Sequence, residues 1–435
     1  MESRSRFWLW AVVLLLVGTV ILRVGYVWSV GNRPLSWADE SAHDEIGWKL
    51  ACTGRYESSA YRATPVEPVF LALVYRVCGH DYRAARFCQA IIGGILLVLS
   101  VVGIGTVLFN RASGLVAGVI TSLYPPLLYM SGVFYAEFLL AVLLAMTVFC
   151  LVRWQQVRGV GWLLGGGLLV GLSALCRPIA LSVIPVAAFY VGWWAGQGRR
   201  LRTVALLLGA AAAVVLPWTA RNAVVFRHFL LVSSGKGLHL WRGNNAVSQG
   251  DADDRHLSPQ GDLWKERVQL LAPDERDAAW EQVNRLCADL EGLDEVEADR
   301  RLGLEGRRWL MANPGRFVLL SVRRLVTLYS AFTKTITRNE TADVRVQLVA
   351  AISFYPVFIF GLAGSVLAWR SNRASWILHG VIVAVTLAYL PMTACSRFRL
   401  PLDVFWILLA SLTVVKVFGW LKRRRLSKTF QAPPS

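Results

Sequence analysis

Between Ala84 and Trp218 the sequence contains a single acidic residue, Glu137. Charged residues make up only 17% of the 435-residue chain, where a soluble protein carries about a quarter. That scarcity excludes an ordinary soluble domain. The seven cysteines include no C-x-x-C pair and no metal-ligand spacing, which disfavours a zinc site. Ser233-Ser234-Gly235-Lys236-Gly237 lacks the spacing of a nucleotide-binding loop. Internal repeats are absent, and low complexity is confined to Gln431–Ser435. The net charge of +18 comes without any motif that reads RNA or DNA, so its cause lies elsewhere.

What the chain does have is apolar length. Runs suited to crossing a bilayer recur at about 7–30, 85–108, 114–129, 138–151, 161–176, 178–195, 204–218, 346–368, 377–389 and 402–420. Arginines mark every second connection: Arg4 and Arg6, Arg111, Arg153 and Arg158, Arg199 to Arg202, Arg370 and Arg373, and Lys422 to Arg425. Apart from Glu2 these segments carry no acid, so the positive-inside rule places both termini in the cytoplasm of a multi-pass protein of the cell (inner) membrane. The first run is long and is followed by no cleavage site, which favours an uncleaved span over a signal peptide.

The expected architecture is all-α and polytopic, a bundle of about ten transmembrane helices with outer amphipathic helices. Residues 1–218 form an N-terminal transmembrane module that includes a first outer loop, 31–83. Residues 219–345 form a large extracytoplasmic loop, and 346–435 the C-terminal helices and a basic cytoplasmic tail. Within the large loop, 262–308 shows helical periodicity with mixed charge, which predicts amphipathic helices on the outer membrane face. Cys52, Cys78 and Cys287 fall on the exterior, where a Cys52–Cys78 bridge is one option. Asn339-Glu340-Thr341 fits a glycosylation sequon.

Charge near the membrane is costly unless solvated or used. Asp39, Glu40, Asp44 and Glu45 follow the first span directly, with His43 among them. They read either as a solvated helix start, capped by Ser36 or Asp39, or as a general base at the membrane surface. Beside a low-dielectric slab such a carboxyl is expected to rise in pKa. Glu137 begins the fourth span and needs water, a partner or a role. Arg397 and Arg399 open the last span on the outer side, against the positive-inside trend. Internal pairing with Asp403 or Glu137 would explain them, and so would a phosphate. Lys236 is a further phosphate candidate. Asp251, Asp253 and Asp254 resemble a calcium loop but lack its glycine and distal Glu.

Taken in order, these segments resemble a known pattern. Asp39-Glu40-x-x-His43-x-Glu45-Ile46 with Gly54-Arg55-Tyr56 is similar to the first outer loop of class C glycosyltransferases of the family 39-like branch. That branch includes protein O-mannosyltransferases and lipid A aminoarabinose transferases. Pro65-Val66-Glu67-Pro68, Cys176-Arg177-Pro178, Leu216 to Asn222, Gly237 to Asn245, Asn313 to Phe317 and Arg397 to Pro401 continue the series.

The resemblance implies sugar transfer from a polyprenyl-phosphate donor to a lipid, glycan or protein acceptor on the outer face. It makes Asp39 the carboxylate that deprotonates or orients the acceptor, and Glu137 the second catalytic acid. Arg397, Arg399 and Lys236 would meet the phosphate, with Glu40, His43, Glu67 and His239 also around the substrate. A divalent cation shared by Asp39 and Glu137 is compatible with the resemblance. His43 and Glu67 stand where the family often has Tyr, so the sugar does not carry over. The alternatives are a lipid or solute transporter and a polyprenyl-linked glycan polymerase or ligase. Acids gathered at outer span ends, with no repeated halves, favour the enzyme.

Overall fold

The computed structural model describes residues 2–31, 33–35, 38–331 and 344–430, and among these every regular element is helical. The sequon at Asn339 and the candidate cap Ser36 lie outside the described residues.

Each of the ten apolar runs is helical, the run at 114–129 being divided between two helices. Six helices are long and apolar enough to cross a membrane alone: Arg6–Val30, Tyr82–Leu108, Ala136–Val157, Gln197–Phe226, Gln347–Ser371 and Ser396–Arg424. The pair Arg111–Leu123 and Pro125–Ser131 is long and apolar enough only when taken together, and it is bent by 57°. The bend falls at Tyr124, because a residue before proline is driven out of the helical region. Val160–Cys176, Pro178–Trp194 and Arg373–Tyr389 are shorter apolar helices. Exposed Phe7, Trp10, Leu14, Val17 and Ile21 along the first span suit lipid, not water. The protein is therefore a multi-pass membrane protein.

The basic turns share one end of the bundle. Arg111 lies over Trp8, Asn372 donates to the Leu108 carbonyl at 2.8 Å, and Lys416 donates to Ser371 Oγ at 3.0 Å. Another end gathers the segments between spans. Helix Ala38–Thr53 packs on helix Val66–Cys78 through Gly47, where a Cβ would meet Leu71 Cβ at 2.9 Å. The strap between these two helices, residues 54–65, lies under the large loop. Glu295 accepts from the Ala60 and Tyr61 amides at 2.8 and 2.9 Å, and Trp218 Nε1 donates to the Ala63 carbonyl at 2.9 Å.

The helices of the large loop differ from expectation in what they bury. Asp262–Val268, Pro273–Leu290 and Glu295–Ala312 turn their apolar faces toward one another and toward stacked Trp241 and Trp264, with Val268, Val283, Leu286 and Leu302 in the shared core. Helix periodicity shows that a face is apolar but not what covers it. The helix that leaves an apolar stripe exposed is Pro314–Tyr329, at Val318, Val322, Leu325 and Val326. Asp251 and Asp254 bind Arg267, at 2.9 and 2.5 Å, which explains that acidic run without calcium. All seven cysteines are free.

Helix Lys236–Gly243 sits against Glu295–Ala312 with backbone nearly touching backbone. A Cβ on Gly237 would collide with the Asp299 carbonyl, and one on Gly306 would come within 2.8 Å of Trp241 Cα. Gly237→Ala is expected to destabilise the protein by about 1–3 kcal/mol, the usual cost of overpacking. Thermal unfolding in detergent would show it, and an unchanged midpoint would contradict this contact.

Candidate functional site

The four acids after the first span separate by their neighbours. Glu45 is exposed and pairs with Lys49 one turn on, at 2.7 Å. Asp44 accepts from Tyr75 Oη at 2.7 Å and from His80 Nε2 at 2.8 Å. Glu40 is buried and accepts from the Phe134 amide at 3.3 Å, with Arg33 at 3.8 Å. Asp39 alone faces a cavity.

The turn that begins the fourth span is held from two sides. His43 Nδ1 lies 2.9 Å from the Phe134 carbonyl, while Gln89 Nε2 donates to the Ser131 and Val133 carbonyls at 3.1 and 2.9 Å. These bonds fix Tyr135 and Glu137, which begin the helix Ala136–Val157.

The cavity, about 350 Å³, is lined by Asp39, His43, Tyr61, Arg62, Tyr135, Glu137, Arg177, Ser234, Lys236, His239, Thr393 and Phe398, among others. Arg397 links its two carboxylates: Nη2 is 3.2 Å from Asp39 Oδ2, and Nε is 2.8 Å from Glu137 Oε1. Arg177 also pairs with Glu137, and Arg62 Nη1 lies 3.6 Å from Asp39 Oδ1. Arg397 is held over Tyr135 and beside Phe398, with Arg177 against the same Phe398 ring.

Burial alone would push the Asp39 carboxyl up. The guanidinium of Arg397 overrides burial, with smaller help from His43, Arg177 and Arg62, and holds it down at about 2. The expected rise beside the membrane is thus reversed by neighbouring cations. Burial lowers the pKa of His43, and it takes His239 down to about 3. Both rings are therefore neutral near pH 7.

Of the residues singled out in the sequence, Asp39, His43, Glu137, Lys236 and His239 line the cavity, and Arg397 braces its carboxylates. Three are placed elsewhere. Arg399 Nε binds Asp403 at 2.9 Å, and its Nη1 donates to the Leu328 carbonyl at 3.1 Å. The internal pairing considered for this arginine explains its position. Glu40 is spent on Phe134. Glu67 is buried, with no hydrogen-bond partner among the described residues, and burial pushes it up to about 8, so it is neutral.

Arg62 and Arg177 are cavity residues that were missed. Arg177 carried a signal, since an arginine between two apolar runs on the outer side breaks the same trend as Arg397. Arg62 sits in a charged loop where one more arginine is unremarked.

Both oxygens of Asp39 and Oε1 of Glu137 lie against guanidinium groups, so a divalent cation shared by the two would compete with Arg62, Arg177 and Arg397 for them. At the surface, His228, Asp294 and Glu297 bring ligand atoms within 4.8 Å of one another, and none of the three lines the cavity.

Residues 62–220 match the family model described as dolichyl-phosphate-mannose-protein mannosyltransferase. The oligosaccharyltransferase AglB from Archaeoglobus fulgidus, solved with an inhibitory peptide and a dolichol-phosphate, superposes over 99% of this chain and 53% of its own, at 15% identity and TM-score 0.58. This chain shares the fold of that archaeal enzyme. An apo form of the A. fulgidus enzyme gives the same TM-score at 16% identity, over 98% of this chain and 52% of its own. ArnT from Cupriavidus metallidurans bound to undecaprenyl phosphate gives TM-score 0.46 at 16% identity, over 92% and 77%. This chain spans about half the length of the archaeal enzymes. Comparison with curated protein sequences gave no match.

Arg399 is engaged in a buried pair, and removing it would leave Asp403 and Tyr124 Oη, which donates to Asp403 at 2.9 Å, without their cation. Arg399→Ala should cost about 3–5 kcal/mol, as broken buried ion pairs do. Thermal unfolding checks this, and a stable variant would return Arg399 to the list of phosphate ligands.

Proposed function

We propose that the protein is a glycosyltransferase that moves a sugar from a polyprenyl-phosphate carrier to a lipid, glycan or protein acceptor at the extracytoplasmic face, with inversion. The observation that carries this reading is the charge balance of the cavity. Asp39 and Glu137 are met by the guanidinium groups of Arg62, Arg177 and Arg397, and Lys236 lines the same cavity, so a positive balance waits for an anion. The cavity lies where span ends meet the inter-span helices, a place reachable by a lipid headgroup. Its volume falls in the range of small-ligand sites.

Arg397 and Arg177 are already spent on Glu137 and Asp39. Lys236, exposed and without an ion pair among the described residues, is the cation for the donor phosphate. A sugar bonded to phosphate already has a good leaving group, and cations that meet the departing charge lower the barrier. Asp39 is ionised throughout the physiological range. Its charge orients the acceptor and stabilises the positive character that grows on the sugar as the bond to phosphate lengthens. Both termini and the arginine-rich turns are assigned to the cytoplasm of an inner membrane by the positive-inside rule. The dolichol-phosphate in the archaeal neighbour agrees with a polyprenyl carrier.

Asp39→Asn is expected to reduce transfer from a labelled polyprenyl-phosphate sugar by about 10²-fold or more, the scale of one removed electrostatic group. Lys236→Ala should instead raise the donor KM. Membranes carrying each variant at equal expression provide the assay. Wild-type rates in Asp39→Asn would refute the assignment.

A further inference from the structure

His43 follows Asp39 by one helical turn, so the two side chains leave the same face of the helix, and both line the cavity. The ring is fixed by its contact with the Phe134 carbonyl at 2.9 Å. A carbonyl oxygen only accepts, so the proton sits on Nδ1 and Nε2 keeps its lone pair. The hydrogen bond His43 makes among the described residues is through Nδ1, not Nε2. Asp39 is differently placed, with one oxygen at Arg397 and the other toward Arg62. A carboxylate held by two guanidinium groups is a poor proton acceptor, whereas an oriented neutral imidazole is a good one.

We propose that His43 is the general base of the reaction, accepting the proton of an acceptor hydroxyl on Nε2. The assignment rests on the glycosyltransferase reading of the cavity. As the acceptor oxygen bonds to the anomeric carbon, its proton passes to Nε2. The bond from the anomeric carbon to the phosphate oxygen breaks, and its electron pair leaves with the polyprenyl phosphate. Burial and Arg62 disfavour the imidazolium so formed, while the Phe134 carbonyl, which continues to hold Nδ1, and the negative charges of Asp39 and Glu137 offset part of that cost. Asp39 therefore has the part a carboxylate plays beside a catalytic histidine, stabilising the cation without taking the proton. The position is one where the resembled family often carries Tyr, so this base belongs to the residue set of this chain.

The full-length protein in nanodiscs, assayed with a labelled polyprenyl-phosphate sugar, tests the assignment. His43→Asn keeps an amide N–H for the Phe134 carbonyl and removes the base. Its kcat should fall by about 10²–10³-fold, within the usual span for a general base, with donor KM and thermal midpoint unchanged. In His43→Gly, added imidazole should raise kcat, which a merely structural role would not allow. A kcat within threefold of wild type in His43→Asn, or no response to imidazole in His43→Gly, would overturn the base assignment alone. A wild-type protein that transfers from no polyprenyl-phosphate sugar would overturn the glycosyltransferase reading beneath it.

Discussion

The site depends on Arg397. Two carboxylates from distant parts of the chain, Asp39 and Glu137, meet at the end of an apolar bundle, and neither would stay ionised there unaided. Arg397 reaches both, and aromatic rings on two sides hold its guanidinium in place. The planar fork suits a bridge of this kind, where a lysine ammonium would serve one partner well and the other poorly. Arg177 then completes the charge on Glu137. What results is a fixed set of charges that need not rearrange when a substrate enters, which is the condition for electrostatic catalysis.

The helix after the first span supplies much of the rest of that geometry. Glu40 and His43, three residues apart, grip the amide and the carbonyl of one residue, Phe134. Gln89 holds the preceding carbonyls from a third segment. The start of the fourth span is thus set by side chains, and Glu137 inherits its position from them. A buried polar network of this kind is worthwhile only when its members are satisfied together. This one ties the acid-rich helix to Glu137, so Asp39 and Glu137 cannot drift apart independently.

The fold was legible in the sequence to the extent that hydrophobic length decides it. All ten apolar runs became helices, because in a bilayer the backbone has no other way to satisfy its polar groups within a single segment. The helices of the large loop were legible as amphipathic, but their burial partner was not. Periodicity cannot distinguish a lipid surface from Trp241 and Trp264. In the site, Asp39, Glu137 and Arg397 were visible as charges in places where charge is costly. Arg399 gave the same signal for a different reason, since its partner Asp403 lies one turn away on the same helix. Arg62 was invisible because an arginine in a charged loop violates no expectation. Its relevance depends on the strap at 54–65 being drawn across the cavity by Glu295 and Trp218.

In the proposed reaction, that network also decides how the chemistry is divided. If the acid-rich helix simply reached water, Asp39 would titrate as an ordinary carboxyl and could serve as base. The closeness of Arg397, Arg62 and Arg177 holds Asp39 ionised and makes it a weak base for the same reason. One carboxylate cannot both neutralise the cations around a phosphate and compete strongly for an acceptor proton. The cavity resolves the conflict by separating the tasks along one face of one helix. Charge is assigned to Asp39, and the free lone pair to His43, one turn on.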